Sequence, residues 1–158
     1  MGRIHTLSVT VEFGDCDPAQ IVYYPNFFRW MDAASRHYFA AAGVPLWHEL
    51  EKTTGIIGTP IVSTDTSFVR PASYGDRIEI DSEVVEWRSK SFVMRHRIRR
   101  GSELLVECNE VRVFAIRVDG NPLKIKAAPV PADVRALCEG EATISSERGG
   151  EGRVVRAD

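Results

Sequence analysis

Two aspartates pose the first chemical question. Asp15 and Asp17 stand in Gly14-Asp15-Cys16-Asp17-Pro18-Ala19-Gln20, whose Gly, Asp and Pro content reads as a loop. Before it, Leu7, Val9, Val11 and Phe13 alternate with Ser8, Thr10 and Glu12, the pattern of a half-buried strand. After it, a helix is predicted over residues 26–42, opened by Pro25-Asn26 and closed by Gly43 and Pro45. A carboxylate close to a helix N-terminus is a minimal acyl-transfer arrangement that needs no metal. Unpaired amides at the helix start polarise a carbonyl oxygen and stabilise the oxyanion formed on attack. The same residues also suit plain turn chemistry: Asp accepts from nearby amides, and Asp-Pro is an extended dipeptide. The local pattern leaves both readings open.

Other reactive types are less suggestive. Cys16 needs a neighbouring base to serve as a thiolate nucleophile, and none of His5, His37, His48 or His96 adjoins it in sequence. The three cysteines, Cys16, Cys108 and Cys138, form no C-x-x-C pair, so no zinc site or disulfide framework is indicated. No metal and no cofactor is expected, and reduced thiols fit a cytoplasmic protein. Residues 88–100 hold Arg88, Lys90, Arg95, Arg97, Arg99 and Arg100 with no acidic residue, in a chain of net charge −2. Alternation puts Arg95, Arg97 and Arg99 on one strand face, where solvent is the ordinary neighbour. Nucleic acid wants a broader patch with interleaved aromatics, whereas a phosphorylated small molecule needs only two or three cations. The cluster therefore points to an anionic small ligand.

The elements that must position these residues fit one domain. The chain has 158 residues, 44% hydrophobic and 27% charged, ordinary for a globular protein. It has no apolar run near the ~20 residues that span a bilayer, and Met1 to His5 lacks the apolar stretch of a secretory signal, so neither a membrane protein nor a secreted one is expected. Phe27, Trp30, Met31, Ala34, Tyr38 and Ala41 recur at helical spacing, widened by Phe28 and Phe39 into a nearly all-round apolar helix. A short helical turn is predicted over 47–52. The chain then turns β: strands over 61–69, 77–87, 91–100, 103–118 and 123–127, with a slip in alternation at Val84-Val85 that suggests a bulge. Gly101-Ser102 and Asp119-Gly120-Asn121-Pro122 are turn signals, and a short helix is predicted over 132–138. The fold class is α+β, an antiparallel sheet curled around one long helix over residues 1–138, with a polar, flexible tail over 139–158. Edge strands remain, and pairing across a two-fold axis would cover one of them.

Glu12-Phe13-Gly14-Asp15-Cys16-Asp17-Pro18-Ala19, followed by Ile21-Val22-Tyr23-Tyr24-Pro25-Asn26, closely resembles the signature loop of the 4-hydroxybenzoyl-CoA thioesterases, which are hot-dog-fold enzymes. The likeness continues through Asp32-Ala33-Ala34-Ser35-Arg36, Gly58-Thr59-Pro60-Ile61, Glu86-Trp87-Arg88, Lys90-Ser91-Phe92-Val93 and Glu110-Val111-Arg112-Val113-Phe114, so that it covers about residues 9–138. The resemblance implies hydrolysis of an aromatic acyl-CoA, 4-hydroxybenzoyl-CoA first, with CoA as part of the substrate. It implies that Asp17 is the catalytic carboxylate, as nucleophile or as base for water, and that the backbone N–H of Tyr24 polarises the thioester carbonyl. Trp47, Thr59, Pro60 and Ile61 match positions around the aryl group, Asp32 its polar end, and Arg88 and Lys90 the CoA phosphates. It also implies a homodimer assembling to a homotetramer. Two departures, Gln20 for a glycine and Ser89 for a basic residue, bear on loop shape and CoA affinity. Other short or aromatic acyl-CoAs, and a non-catalytic acyl-CoA-binding role, are the competing readings; nucleic-acid and membrane partners are not expected.

Overall fold

A computed structural model of the chain describes residues 2–140 and the backbone of residues 142–145 and 153–156. The elements run β1 (His5–Thr10), α1 (Pro25–Ala42), α2 (Trp47–Thr54), β2 (Ile56–Gly58), β3 (Ile61–Phe68), β4 (Arg77–Trp87), β5 (Ser91–Arg100), β6 (Glu103–Val118), β7 (Asn121–Ala128), α3 (Ala132–Cys138), β8 (Ala142–Ser145) and β9 (Arg153–Arg156). β1, β4, β5 and β6 lie side by side, all antiparallel. β6 is the longest strand, and its two sides are shared. One side pairs with β5 up to Val113 and then with β7, and the other pairs with β3 and then with β2.

The turns form where the residues allow them. Asp119 and Gly120 both take positive φ, 53° and 66°, as a two-residue hairpin loop between twisted strands requires. The β4–β5 register shifts between Val84 and Glu86, so the slip in alternation is a bulge. The three-residue strand β2 has no counterpart in the sequence-based expectation; too short for a period, it exists only through pairing with Ala115 and Ile116.

The helix α1, about 27 Å long, lays Phe27, Trp30, Met31 and Ala34 against Ile78, Ile80, Ile98 and Val106. Its second half, Tyr38, Phe39 and Ala42, packs with Phe92, Met94 and Phe114. Gly43 ends it in the left-handed conformation, φ 92°. The sheet takes only one side of α1: Arg29, Asp32, Arg36, His37, Ala40 and Ala41 are exposed. The all-round apolar helix of the sequence reading is thus corrected to an amphipathic one, with Ala42 rather than Ala41 in the core. Phe13 is corrected too. β1 stops at Thr10, and Phe13 enters a short 3₁₀ turn in which it is 80% exposed. In the tail expected to be flexible over 139–158, the backbone of β8 pairs with that of β9, and residues 141, 146–152 and 157–158 lie outside those described.

Most of the basic run is neutralised on the sheet's outer face. Arg95 meets Glu83, Arg97 meets Glu107 at 3.5 Å, Arg99 meets Asp81 at 2.7 Å, and Arg100 meets Asp76 at 2.7 Å. Arg95, Arg97 and Arg99 are therefore cross-strand partners of carboxylates, Arg100 is held by Asp76 just before β4, and the anion-binding reading is withdrawn for all four. Hydrogen bonds from Arg99 hold the Asp81 carboxyl below its ordinary pKa of 3.8, with a further contribution from Thr6. A group lowered on folding contributes stability that is complete above its unfolded pKa and is lost as pH falls through the folded one. Asp81→Asn should therefore lower Tm at pH 7 by the equivalent of at most about 1 kcal/mol. Melting curves from neutral pH to about pH 3 should show that deficit shrinking below the ordinary aspartate pKa.

Candidate active site

The Asp15–Asp17 loop is built by its own hydrogen bonds. Asp15 is consumed by structure: its Oδ2 accepts from Glu12 N–H at 2.8 Å, and its carbonyl accepts from Tyr23 N–H at 2.9 Å and from Asn26 Nδ2 at 2.8 Å. Turn chemistry accounts for Asp15. Asp17 is only half accounted for. Its N–H donates to the Ile21 carbonyl at 2.9 Å, and Oδ1 accepts from Ala19 N–H at 2.8 Å, an Asx turn. Its Oδ2 has no protein partner among the described residues. The carboxylate lines a cavity of about 620 Å³ with Phe13, Cys16, Pro18, Gln20 and Tyr74. Gln20, the residue standing in for glycine, takes φ 66°. That conformation strains a side-chain-bearing residue, and it is held by Ser73 Oγ, which donates to the Gln20 carbonyl at 2.6 Å. The Cys16 thiol lies 3.9 Å from the Glu12 carbonyl, is half-buried in the wall of the same cavity, and has no histidine hydrogen-bonded to it among the described residues.

Tyr24 is the cap residue of α1. Pro25 has no N–H, and the Asn26 and Phe27 amides donate to the Tyr23 and Tyr24 carbonyls. Among the described residues the Tyr24 N–H donates to nothing, so it is an open donor at the positive end of a helix. Tyr24 borders a smaller recess of about 210 Å³ with Ile21, Phe27, Phe68 and Val69, separate from the cavity of Asp17.

Asp32, Trp47, Thr59, Pro60 and Ile61 converge. All five line one cavity of about 510 Å³, together with Arg36 and Arg112. Three elements supply them. Asp32 and Arg36 come from the exposed side of α1, Trp47 opens α2, and Thr59 to Ile61 run from the β2–β3 link into β3. The Trp47 ring is set edge-on against Phe39 at 5.3 Å, which fixes the aromatic wall. Asp32 remains 70% exposed, its Oδ1 accepting from Arg112 Nη2 at 3.2 Å.

Arg88 and Lys90 sit in the β4–β5 turn and border neither cavity. Arg88 grips Glu86 with both ends of its fork, at 3.1 and 3.0 Å. These bonds lower the Glu86 pKa and raise that of Arg88. Lys90 is exposed and makes no ion pair among the described residues.

Sequence reasoning missed a buried polar chain. Ser82 Oγ lies 2.7 Å from His96 Nδ1, and His96 Nε2 lies 3.1 Å from Glu110 Oε2. The same carboxylate oxygen accepts from Arg112 Nε at 2.8 Å. A signal was present: Ser82, His96, Glu110 and Arg112 occupy positions that strand alternation reserves for the core, between Ile80 and Val84, Met94 and Ile98, and Cys108 and Phe114. Among the described residues, no group of three His, Cys, Asp or Glu side chains is placed to hold a metal ion, and no helix is long and apolar enough to cross a membrane.

Comparison with known proteins adds identity to this geometry. The chain is 48% identical over 143 residues to the 4-hydroxybenzoyl-CoA thioesterase of Pseudomonas sp. strain CBS-3, covering 87% of this chain and 99% of that one. It superimposes on a crystal structure of 4-hydroxybenzoyl-CoA thioesterase mutant D17N complexed with 4-hydroxybenzoyl-CoA, with a TM-score of 0.80 at 46% identity and with 86% and 99% of the two chains covered. A gentisyl-coenzyme A thioesterase follows at 30% identity and TM-score 0.70, covering 85% and 98%. The model of the thioesterase-like superfamily matches residues 11–137, from the strand end before the Asp17 loop into α3. On that match, and with the hot-dog fold of these relatives, the chain belongs to the thioesterase-like superfamily.

Proposed function

We propose that this chain hydrolyses aromatic acyl-CoA thioesters to the free acid and CoA, with 4-hydroxybenzoyl-CoA the first substrate. The observation that carries the reading is the single cavity that gathers Asp32, Trp47, Thr59, Pro60 and Ile61, a flat aromatic wall with one carboxylate at its open side. Asp17 supplies the free carboxylate oxygen that acts on the thioester carbon, as nucleophile or as base for water. The Tyr24 N–H stabilises the oxyanion, and CoA leaves as its thiolate. Lys90 and Arg88 meet the nucleotide phosphates. The likeness to a gentisyl-coenzyme A thioesterase favours other hydroxylated aromatic acids as the second choice.

The reading includes a dimer paired along β3. That strand lies at a sheet edge and exposes Ile61 and Val62, with Phe68 and Val69 at its far end. Ile61 belongs to the aryl cavity and Phe68 to the Tyr24 recess. On one chain they are separated by about 23 Å at 3.3 Å per residue. Antiparallel pairing of two β3 strands about a two-fold axis sets the Ile61 end of one copy beside the Phe68 end of the other. The aryl cavity of one copy then adjoins the open amide of its mate. Two such dimers form a tetramer, in a cytoplasm that keeps the three free cysteines reduced.

Asp17→Asn should lower kcat by about 10²–10⁴ with CoA-ester binding preserved, read from thiol release and calorimetric titration; joint loss of binding and turnover would count against the role. Glu86→Gln releases Arg88 and should lower KM for CoA esters about two- to fivefold, an effect that added salt removes. An unchanged KM would reject a phosphate role for Arg88. Val62→Asp should yield monomers by analytical ultracentrifugation and abolish turnover with the fold intact by circular dichroism; an active monomer would sink the paired site.

A further inference from the structure

Arg112 is buried to 3% exposure, yet it lines the aryl cavity. Each nitrogen of its guanidinium is engaged by a different element. Nε donates to Glu110 Oε2 at 2.8 Å, Nη1 to the Thr59 carbonyl at 2.8 Å, and Nη2 to Asp32 Oδ1 at 3.2 Å. Thr59 belongs to the link between β2 and β3, directly after Gly58, which ends β2 with φ 153°, and Asp32 to the exposed side of α1. Both form walls of the pocket, and among the described residues the Asp32 carboxylate has no other hydrogen-bond partner. Behind Arg112 stands the Ser82–His96–Glu110 chain. With its proton on Nε2, His96 donates to Glu110 and accepts from the Ser82 hydroxyl through Nδ1, the tautomer that satisfies both contacts. His96 and Glu110 are fully buried. The second oxygen of Glu110 is buried with no hydrogen-bond partner among the described residues, so there Oε2 alone anchors the carboxylate.

From this we infer that Arg112 is a positioning residue. Held from behind by Ser82, His96 and Glu110, it fixes Asp32 and the Thr59 carbonyl, and so sets the discrimination of the pocket between ring substituents. Three properties of the side chain carry this. A planar fork with diverging donors holds two acceptors at a set separation, which a lysine ammonium cannot do. A carboxylate as exposed as Asp32 would otherwise sample several rotamers, so one tie to a buried group is what gives it a fixed direction. A ring hydroxyl is recognised strongly only by partners already aimed at it, because a site built for a hydroxyl leaves its own polar groups unpaired when the hydroxyl is missing.

The inference rests on the proposed aromatic acyl-CoA hydrolysis, and its test separates the two. Wild type and Arg112→Lys, as full chains, are assayed with 4-hydroxybenzoyl-CoA and benzoyl-CoA. Positioning predicts that the ratio of kcat/KM values, hydroxylated over plain, falls about tenfold or more. The loss should lie mainly in KM, because Asp17 and Tyr24 belong to other cavities. A purely structural residue would lower both substrates together, and an unchanged ratio overturns the inference. Should Arg112→Lys fail to fold, Glu110→Gln, which keeps the shape and weakens the anchor, is judged by the same ratio. Should wild type hydrolyse neither substrate, the functional proposal falls, and crystal structures of wild type and Arg112→Lys then decide the positioning. Displacement of the Asp32 carboxylate and Thr59 carbonyl by more than about 1 Å upholds it, and their superposition overturns it.

Discussion

Sixteen residues of continuous strand in β6, hydrogen-bonded along both sides, are the constraint on which the rest of this molecule hangs. Four other strands, β2, β3, β5 and β7, exist as partners of that one. The period of two along a strand then decides everything that faces α1. Val106, Cys108, Glu110, Arg112 and Phe114 all point inward, whatever their polarity. One strand thus contributes to the apolar core at both ends and to a polar chain in the middle. The β2–β3 link, which has no regular structure of its own, is brought to the cavity because both of its flanking strands pair with β6.

The same arrangement explains why the functional groups are dispersed on one chain. Helix α1 lies across the sheet, with the open Tyr24 amide at one end and Asp32 two turns along its exposed side. β3 runs along the sheet edge with one end at each. A rigid scaffold of this kind fixes the distances between groups firmly, but it leaves the aryl cavity and the amide recess without a common residue. Joining them by loops would need long excursions; the proposed symmetric edge pairing would need none, and it would cover an apolar edge that otherwise invites indiscriminate association.

Much of this was legible from residue types and spacing, in proportion to how local the physics is. The limits of β4, β5, β6 and α3 follow from alternation, helical period and turn residues, and the structure reproduces them residue for residue. Even the Val84 bulge shows as a broken alternation. Where tertiary contact decides, the reading fails. Phe13 continues the apolar period of β1 but leaves it, because the chain enters there the 3₁₀ turn that Glu12 and Asp15 cap reciprocally. Arg95, Arg97 and Arg99 look like a site in isolation; only pairing with β4 and β6 brings carboxylates opposite them, and only the turn before β4 brings Asp76 to Arg100. The convergence of Asp32, Trp47 and Thr59 was reachable only through family resemblance, since no spacing within the chain links residues on two helices and a strand link.

Stability alone does not account for the buried chain from Ser82 to Arg112. An ion pair in a core recovers its desolvation only with favourable geometry, and apolar residues of similar volume often match or exceed it. Here the geometry is incomplete, since one oxygen of Glu110 is buried with no partner among the described residues. What the charged chain supplies, and Leu or Phe in its place could not, is direction. A guanidinium locked at its base presents donors at fixed angles to a helix carboxylate and to a main-chain carbonyl that no direct bond joins. Binding a small flat ring demands such direction, because the apolar area of a ring can be buried in many orientations at nearly equal free energy. The fold therefore places polar groups in its interior at the point where core and pocket meet, and the rigidity of the core passes through Arg112 to the site.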